Sequence, residues 1–267
     1  MTVVTKVFGL IICALALPLF AEPKKLQYTI IETAAHDSSF FTQGFELYGD
    51  YIVESSGLYG KSFVTRYRAD TGEVSMSKRL PHHVFAEGLT IFDKQLFILT
   101  WKEGQVFVFD AETFAYQRLM SYQGEGWGIT HNGTHLITSN GSNTLSFRSP
   151  ENFISQRTVH VHDSSKSYQQ INELEYAENW IWANMWRKNQ ILAINSETGK
   201  VEGLLDLSAL SKANVHQPGT SVLNGIAFDK KSKAFWVTGK LWPNRYLIKI
   251  RWPKDEINAP KGKDNRS

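Results

Sequence analysis

Five short segments govern how this chain is read: Gln43-Gly44-Phe45, Glu87-Gly88-Leu89, Trp127-Gly128-Ile129, Asn172-Glu173-Leu174 and Asn224-Gly225-Ile226. Each places a polar or indole side chain before a second residue, glycine in four cases, and then an apolar residue that opens a β-rich run. Their first residues are spaced by 44, 40, 45 and 52 positions. A second β-rich run follows each, at Tyr51–Glu54, Leu96–Trp101, Leu136–Asn140, Trp180–Trp186 and Phe235–Lys240. Third runs at Phe63–Arg68, Gln105–Asp110 and Gln190–Asn195 lead into Asp70-Thr71-Gly72, Asp110-Ala111-Glu112 and Glu197-Thr198-Gly199. Such residues form turns because they tolerate positive φ or bond their own backbone. Short apolar, β-branched and aromatic runs with these breaks read as strands, and no long stretch carries a helical period.

Four strands per unit of about 40–45 residues mark a propeller blade, with an antiparallel sandwich as the alternative that also yields many short strands. The fifth unit has only three strands from its anchor, the third at Arg245–Ile250, whereas Leu26–Glu32 precedes the first anchor without a unit of its own. An all-β, five-bladed β-propeller over residues 22–252 is therefore expected, with the N-terminal strand closing the last blade and covering its exposed edge.

Composition and flanks narrow the class further. Of 267 residues, 42% are hydrophobic and 13% aromatic, ample for a packed core. The net charge of +3 forms no sustained basic stripe, which argues against a nucleic-acid partner. Lys6, the apolar run Val7–Phe20 and the small residue Ala21 describe a secretory signal peptide over residues 1–21. The run is short for a membrane span, which needs about 20 residues. Its removal would take Cys13, the only cysteine, and leave no thiol for a disulfide, a metal or catalysis. The expected product is exported, periplasmic or secreted, free of the membrane and monomeric, with a polar tail over 253–267. No Gly-x-Ser-x-Gly elbow, His-Glu-x-x-His helix or phosphate-binding glycine loop is present. His160 with His162, and His82 with His83, lack a third ligand at useful spacing, so no metal site is assigned.

In a propeller the first strands converge on one axis, so Gln43, Glu87, Trp127, Asn172 and Asn224 would meet as a polar ring with one carboxylate. The ends of the second runs would add Trp101, Trp186, Lys240 and Trp242. An aromatic cup with one acid and one ammonium suits a small ligand. The plainer alternative is that the indoles pack between sheets and the amides bond backbone. A carboxylate among aromatics is harder to place so: Glu87 either pairs with Lys240 or titrates above the usual range, as proton transfer near neutral pH requires.

Phe41-Thr42-Gln43-Gly44-Phe45, Phe85-Ala86-Glu87-Gly88-Leu89, Asn172-Glu173-Leu174-Glu175 and Leu223-Asn224-Gly225-Ile226-Ala227 together resemble the plant-type glutaminyl-peptide cyclotransferases. That family, found in papaya latex and some bacteria, has the five-bladed propeller and is unrelated to the zinc-dependent animal enzymes. The resemblance runs from about Phe40 to Trp242. It implies conversion of N-terminal glutamine of peptides and proteins to pyroglutamate, with Glu87 as the essential acid and Asn172 and Lys240 as further catalytic groups. Phe41, Gln43, Phe85, Trp101, Trp127 and Trp186 would hold the glutaminyl residue. No cofactor is then required, although a structural calcium ion could sit in the channel. Two other classes stay open: a calcium-dependent, lactonase-like propeller hydrolase, which would lose activity to a chelator, and an exported peptide-binding propeller without turnover.

Overall fold

The computed structural model describes residues 22–253 other than Val215. The expected signal peptide with Cys13, and the tail from residue 254 onward, lie outside the described residues.

Twenty strands and one short helix make up the described residues. After β1 (Lys24–Ala35), β2 (Thr42–Tyr48), β3 (Tyr51–Ser56), β4 (Phe63–Arg68) and β5 (Val74–Arg79) form one antiparallel four-stranded sheet. A second contains β6 (Ala86–Phe92), β7 (Gln95–Thr100), β8 (Gln105–Asp110) and β9 (Tyr116–Ser121). A third contains β10 (Ile129–His131), β11 (Leu136–Thr138), β12 (Thr144–Arg148) and β13 (Ser155–His160). Then come β14 (Ile171–Ala177), β15 (Trp180–Met185), β16 (Gln190–Asn195) and β17 (Val201–Asp206), the helix α1 (Ser208–Asn214), and β18 (Leu223–Asp229), β19 (Ala234–Gly239) and β20 (Asn244–Arg251).

As expected, β1 is the fourth strand beside β20, paired antiparallel from Gln27 to Ala35. Its first residues do something the sequence did not suggest: Lys24–Leu26 pair parallel with Gly203–Leu205 of β17. The last two units are thereby fused into one eight-stranded sheet, ordered β14-β15-β16-β17-β1-β20-β19-β18. The helix also went unread. It occupies the longest interval between anchors, and its seven residues are too few to show a period.

Apolar side chains fade from the first strands outward. Leu96 to Leu99 of β7 are buried without alternation, because both faces of this strand are covered, whereas β5 and β9 at the sheet edges alternate toward solvent. Five apolar clusters lie between successive units. Val53 and Val64 meet Leu89 and Ile98, and Phe97 and Leu99 meet Ile129 and Leu136. Ile137 and Phe147 meet Leu174 and Ile181, and Trp182 and Ile191 meet Ile226 and Phe235. The fifth returns to the start, with Ala227, Trp236 and Leu247 against Phe45, Ile52 and Tyr67. The strands β2, β6, β10, β14 and β18 touch in that order, and β18 touches β2.

Where first and last units meet, a buried polar group supplements the apolar seam. His36, just past β1, directs Nε2 to both oxygens of Glu54 at 3.1 Å and Nδ1 to the Trp242 carbonyl at 2.7 Å. Thr42 and Tyr67 also donate to Glu54, each at 2.7 Å. Arg245 of β20 donates to the carbonyls of Ala35 and Ala69. Burial disfavours the His36 cation, but the charge and hydrogen bond of Glu54 outweigh it and hold His36 above its ordinary value. Its stabilising contribution is therefore complete below the unfolded histidine pKa near 6.5 and lost as pH rises through the higher folded value. His36→Ala is expected to cost about 3 kcal/mol at pH 6, the scale for breaking a buried pair, and less at pH 9. Urea unfolding at the two pH values measures the difference.

Candidate active site

The anchor segments explain how the first strands present side chains. Strand pairing is interrupted between Thr42 and Gly44, Ala86 and Leu89, Ile171 and Leu174, and Leu223 and Ile226. Such irregularities release the residues between them from the ladder and re-aim their side chains. The glycines meet a second demand. A Cβ on Gly44 would lie 2.3 Å from the Leu89 nitrogen, one on Gly88 2.7 Å from the Trp127 carbonyl oxygen, and one on Gly128 2.1 Å from that of Asn172. The main chain of the next sheet occupies the place of the missing side chain, and Gly88 N–H donates to Trp127 O at 2.7 Å.

At this end of the first strands lies a cavity of about 260 Å³ lined by Phe41, Gln43, Phe85, Glu87, Trp101, Trp127, Asn172, Trp186 and Lys240. The nine residues to which the family resemblance assigns a role thus surround one space. Trp101, Trp186 and Lys240 each stand one residue past a second strand, β7, β15 or β19, where the chain turns over the cavity. The aromatic wall is nearly continuous. Ring centres are 6.2 Å apart for Phe41–Phe85, 5.5 Å for Phe85–Trp101 and 5.7 Å for Trp127–Trp186. The Lys240 ammonium lies 4.7 Å from the Phe41 ring centre, close enough for a cation–π contact.

Glu87 is the only carboxylate in this lining and is 6% exposed. It accepts one side-chain hydrogen bond, from Gln43 Nε2 to Oε1 at 3.0 Å. Burial pushes it well above the usual carboxylate range; the Lys240 charge opposes this, and Glu125 and Glu103 reinforce it. Lys240, 5% exposed, makes no direct ion pair with Glu87 among the described residues, and burial lowers its pKa to about 8 against the pull of Glu87. Gln43 Oε1 and Asn172 Oδ1 are buried acceptors without a partner among the described residues, and such acceptors favour a ligand that supplies donors.

Two residues named with the site do not reach it. Asn224 spends its amide on the carbonyls of Thr42 and Gln43, at 2.9 and 3.2 Å, and so ties the last unit to the first. Trp242 is fully buried in the apolar cluster between the last two units, its indole against Gly239. Three other acids, Glu173 buried and Glu46 and Glu175 half-buried, serve the joins between units. Glu46, Glu173 and Glu175 accept backbone N–H groups of the neighbouring units, from Ile91 at 3.0 Å, Ile226 at 2.8 Å and Phe228 at 3.2 Å. Burial raises all three, Glu46 to about 7. None lines the cavity, and no group of three or more His, Cys, Asp or Glu among the described residues is set to hold a metal ion. Among these residues there is also no helix long and apolar enough to cross a membrane.

An all-β chain with a single-acid aromatic cup fits a protein that encloses one small group. The comparisons are specific: a sequence profile described as glutamine cyclotransferase matches residues 4–250, and the chain belongs to that family. It is 34% identical over 226 residues to a glutaminyl-peptide cyclotransferase of Arabidopsis thaliana, spanning 83% of this chain and 71% of that one. The crystal structure of Myxococcus xanthus glutaminyl cyclase matches with a TM-score of 0.81 at 33% identity, over 87% of this chain and 100% of the other.

The lowered Lys240 pKa gives a measurable consequence. If its ammonium is needed during turnover, kcat falls as pH rises through about 8. Lys240→Met is expected to abolish that limb and to reduce kcat at pH 7 by about 10²–10³, the scale for loss of one donor to a developing oxyanion. A variant that keeps the wild-type alkaline limb would show that the limb belongs to another group.

Proposed function

We propose that this chain is a five-bladed β-propeller enzyme that cyclises N-terminal glutamine of peptides and proteins to pyroglutamate, releasing ammonia. The blade reading is supported by five units of four strands, counting β1 with β18–β20, and by the circular succession of first strands and apolar clusters. The activity is that of the family. The observation that carries the catalytic assignment is the lone, nearly unpaired Glu87 carboxyl in a cavity sized for one side chain.

In the reaction the substrate α-amine attacks its own γ-carbonyl, a five-membered lactam forms, and the C–N bond to the amide nitrogen breaks. Nucleophile and electrophile share one molecule, so no covalent residue is needed. The task is to hold the side chain folded, which orientation makes worth several orders of magnitude. Phe41, Phe85, Trp101, Trp127 and Trp186 wall the bent chain and exclude water. Gln43 Oε1 and Asn172 Oδ1 are suited to accept N–H groups of the substrate. The Glu87 carboxylate takes a proton from the attacking amine and returns it to the departing nitrogen, a role typically worth about 10²–10⁴ in rate and favoured by a raised pKa. Lys240 and the Asn172 amide donate to the carbonyl oxygen as it becomes anionic. Catalysis needs no metal in this scheme, and a structural calcium ion in the channel would be separable from it. The protein acts on Gln-initiated peptides after export to the periplasm or medium, on the strength of the Val7–Phe20 run.

Three measurements test this reading. Glu87→Gln is expected to fold as the wild type by circular dichroism and to release ammonia from Gln-initiated dipeptides at least about 10²-fold more slowly; substantial residual turnover would remove Glu87 from its role. Wild-type turnover should persist in excess chelator, whereas its loss would favour metal-dependent chemistry. N-terminal sequencing of the exported protein should begin at or near Glu22, and a retained Met1 would refute cleavage.

A further inference from the structure

The ring contacts around the cavity are interrupted between Trp101 and Trp127. Phe41, Phe85 and Trp101 form one run of ring contacts, and Trp127 with Trp186 forms another, but no ring contact joins Trp101 to Trp127 among the described residues. That interruption is bridged by a carboxylate that does not line the cavity itself. Glu125 Oε2 accepts from Trp101 Nε1 at 2.8 Å and from Trp127 Nε1 at 2.9 Å. We propose that Glu125 is a positioning residue that locks the two halves of the aromatic cup together and sets the width of the glutamine-binding cavity.

The chemistry of the groups favours this role. Each indole N–H is a donor only, and drawn from water it needs an acceptor. A single oxygen with two lone pairs can take both, so two rings on different sheets share one fixed point. Trp101 follows β7 and Trp127 precedes β10. The connection between β9 and β10 carries Gly124, Gly126 and Gly128, so its backbone is intrinsically permissive. It is held at both ends: Gly126 N–H donates to the Trp101 carbonyl of the preceding unit at 2.9 Å, and Trp127 N–H to that of Ser139 in its own unit at 3.1 Å. Backbone and carboxylate together fix where the Trp127 ring stands relative to Trp101.

The inference rests on the cyclotransferase reading for its kinetic consequence but not for its structural one. Glutamine at position 125 keeps a carbonyl oxygen able to accept from both indoles and removes the charge, whereas alanine removes the bridge. Glu125→Ala is expected to raise KM for a Gln-initiated dipeptide about tenfold, with kcat changed less than about threefold, as for a wall that holds substrate and transition state alike. Glu125→Gln is expected to keep KM within about threefold of wild type, since the acceptor is retained. In the free protein, near-ultraviolet circular dichroism of the indoles should weaken in Glu125→Ala and persist in Glu125→Gln. A KM in Glu125→Ala within twofold of wild type, or a glutamine variant as impaired as alanine, overturns the role. Absence of wild-type turnover would instead sink the cyclotransferase reading, and the dichroism of the two variants would still decide whether Glu125 fixes the rings.

Discussion

The structure depends on how closely the backbones of the first strands approach one another. At Gly44, Gly88 and Gly128 the main chain of the following sheet stands where a Cβ would be, so any larger residue would push adjacent sheets apart. The same tight spot interrupts pairing just where Gln43, Glu87 and Asn172 leave the ladder. Packing between sheets and presentation of the site are thus two consequences of one geometry. In the fourth unit Glu173 replaces the glycine, and its carboxylate accepts from Ile226 N–H of the next unit.

Two fully enclosed acids show how environment separates structural from chemical roles. Glu54 receives hydrogen bonds from His36, Thr42 and Tyr67 and joins the strands on either side of the closing seam. Glu87, almost as buried, receives one from Gln43 and stands near an ammonium that it does not touch. A carboxylate so saturated is fixed in place by its partners. An under-satisfied one in a dry cup is poised to exchange a proton, because burial penalises its charge while a nearby cation limits the penalty. The oxygens of Gln43 and Asn172, without a hydrogen-bond partner among the described residues, belong to the same logic: they are acceptors suited to a ligand carrying donors.

Legibility in the sequence followed the range of the interactions involved. The third strands Phe63–Arg68, Gln105–Asp110 and Gln190–Asn195 appear where alternation and turn chemistry put them, since both act over a few residues. Seven of the nine cavity residues could be named because each sits at a repeated place in its unit, whereas Phe41 and Phe85 were named only through the family resemblance. Asn224 occupies the same repeated place yet bonds the backbone of β2, and Trp242 lies two residues beyond Lys240 yet turns into the core. The parallel pairing of Lys24–Leu26 with β17 had no local signal, because its partner lies far along the chain. The same holds for Glu125, an ordinary acid in a glycine-rich connection until two indoles from different sheets are brought to one oxygen.

By itself, then, the sequence determined the strands, the length of the repeating unit and the register at which polar residues recur, since periodicity, turn residues and glycine act locally. Only the tertiary structure decided which of those polar residues face a common cavity, which are spent on neighbouring backbone, and that Glu87 is left without a close counter-charge. Those outcomes turn on distances between sheets whose residues are far apart in the chain, and burial and electrostatics depend on such distances rather than on neighbours in sequence.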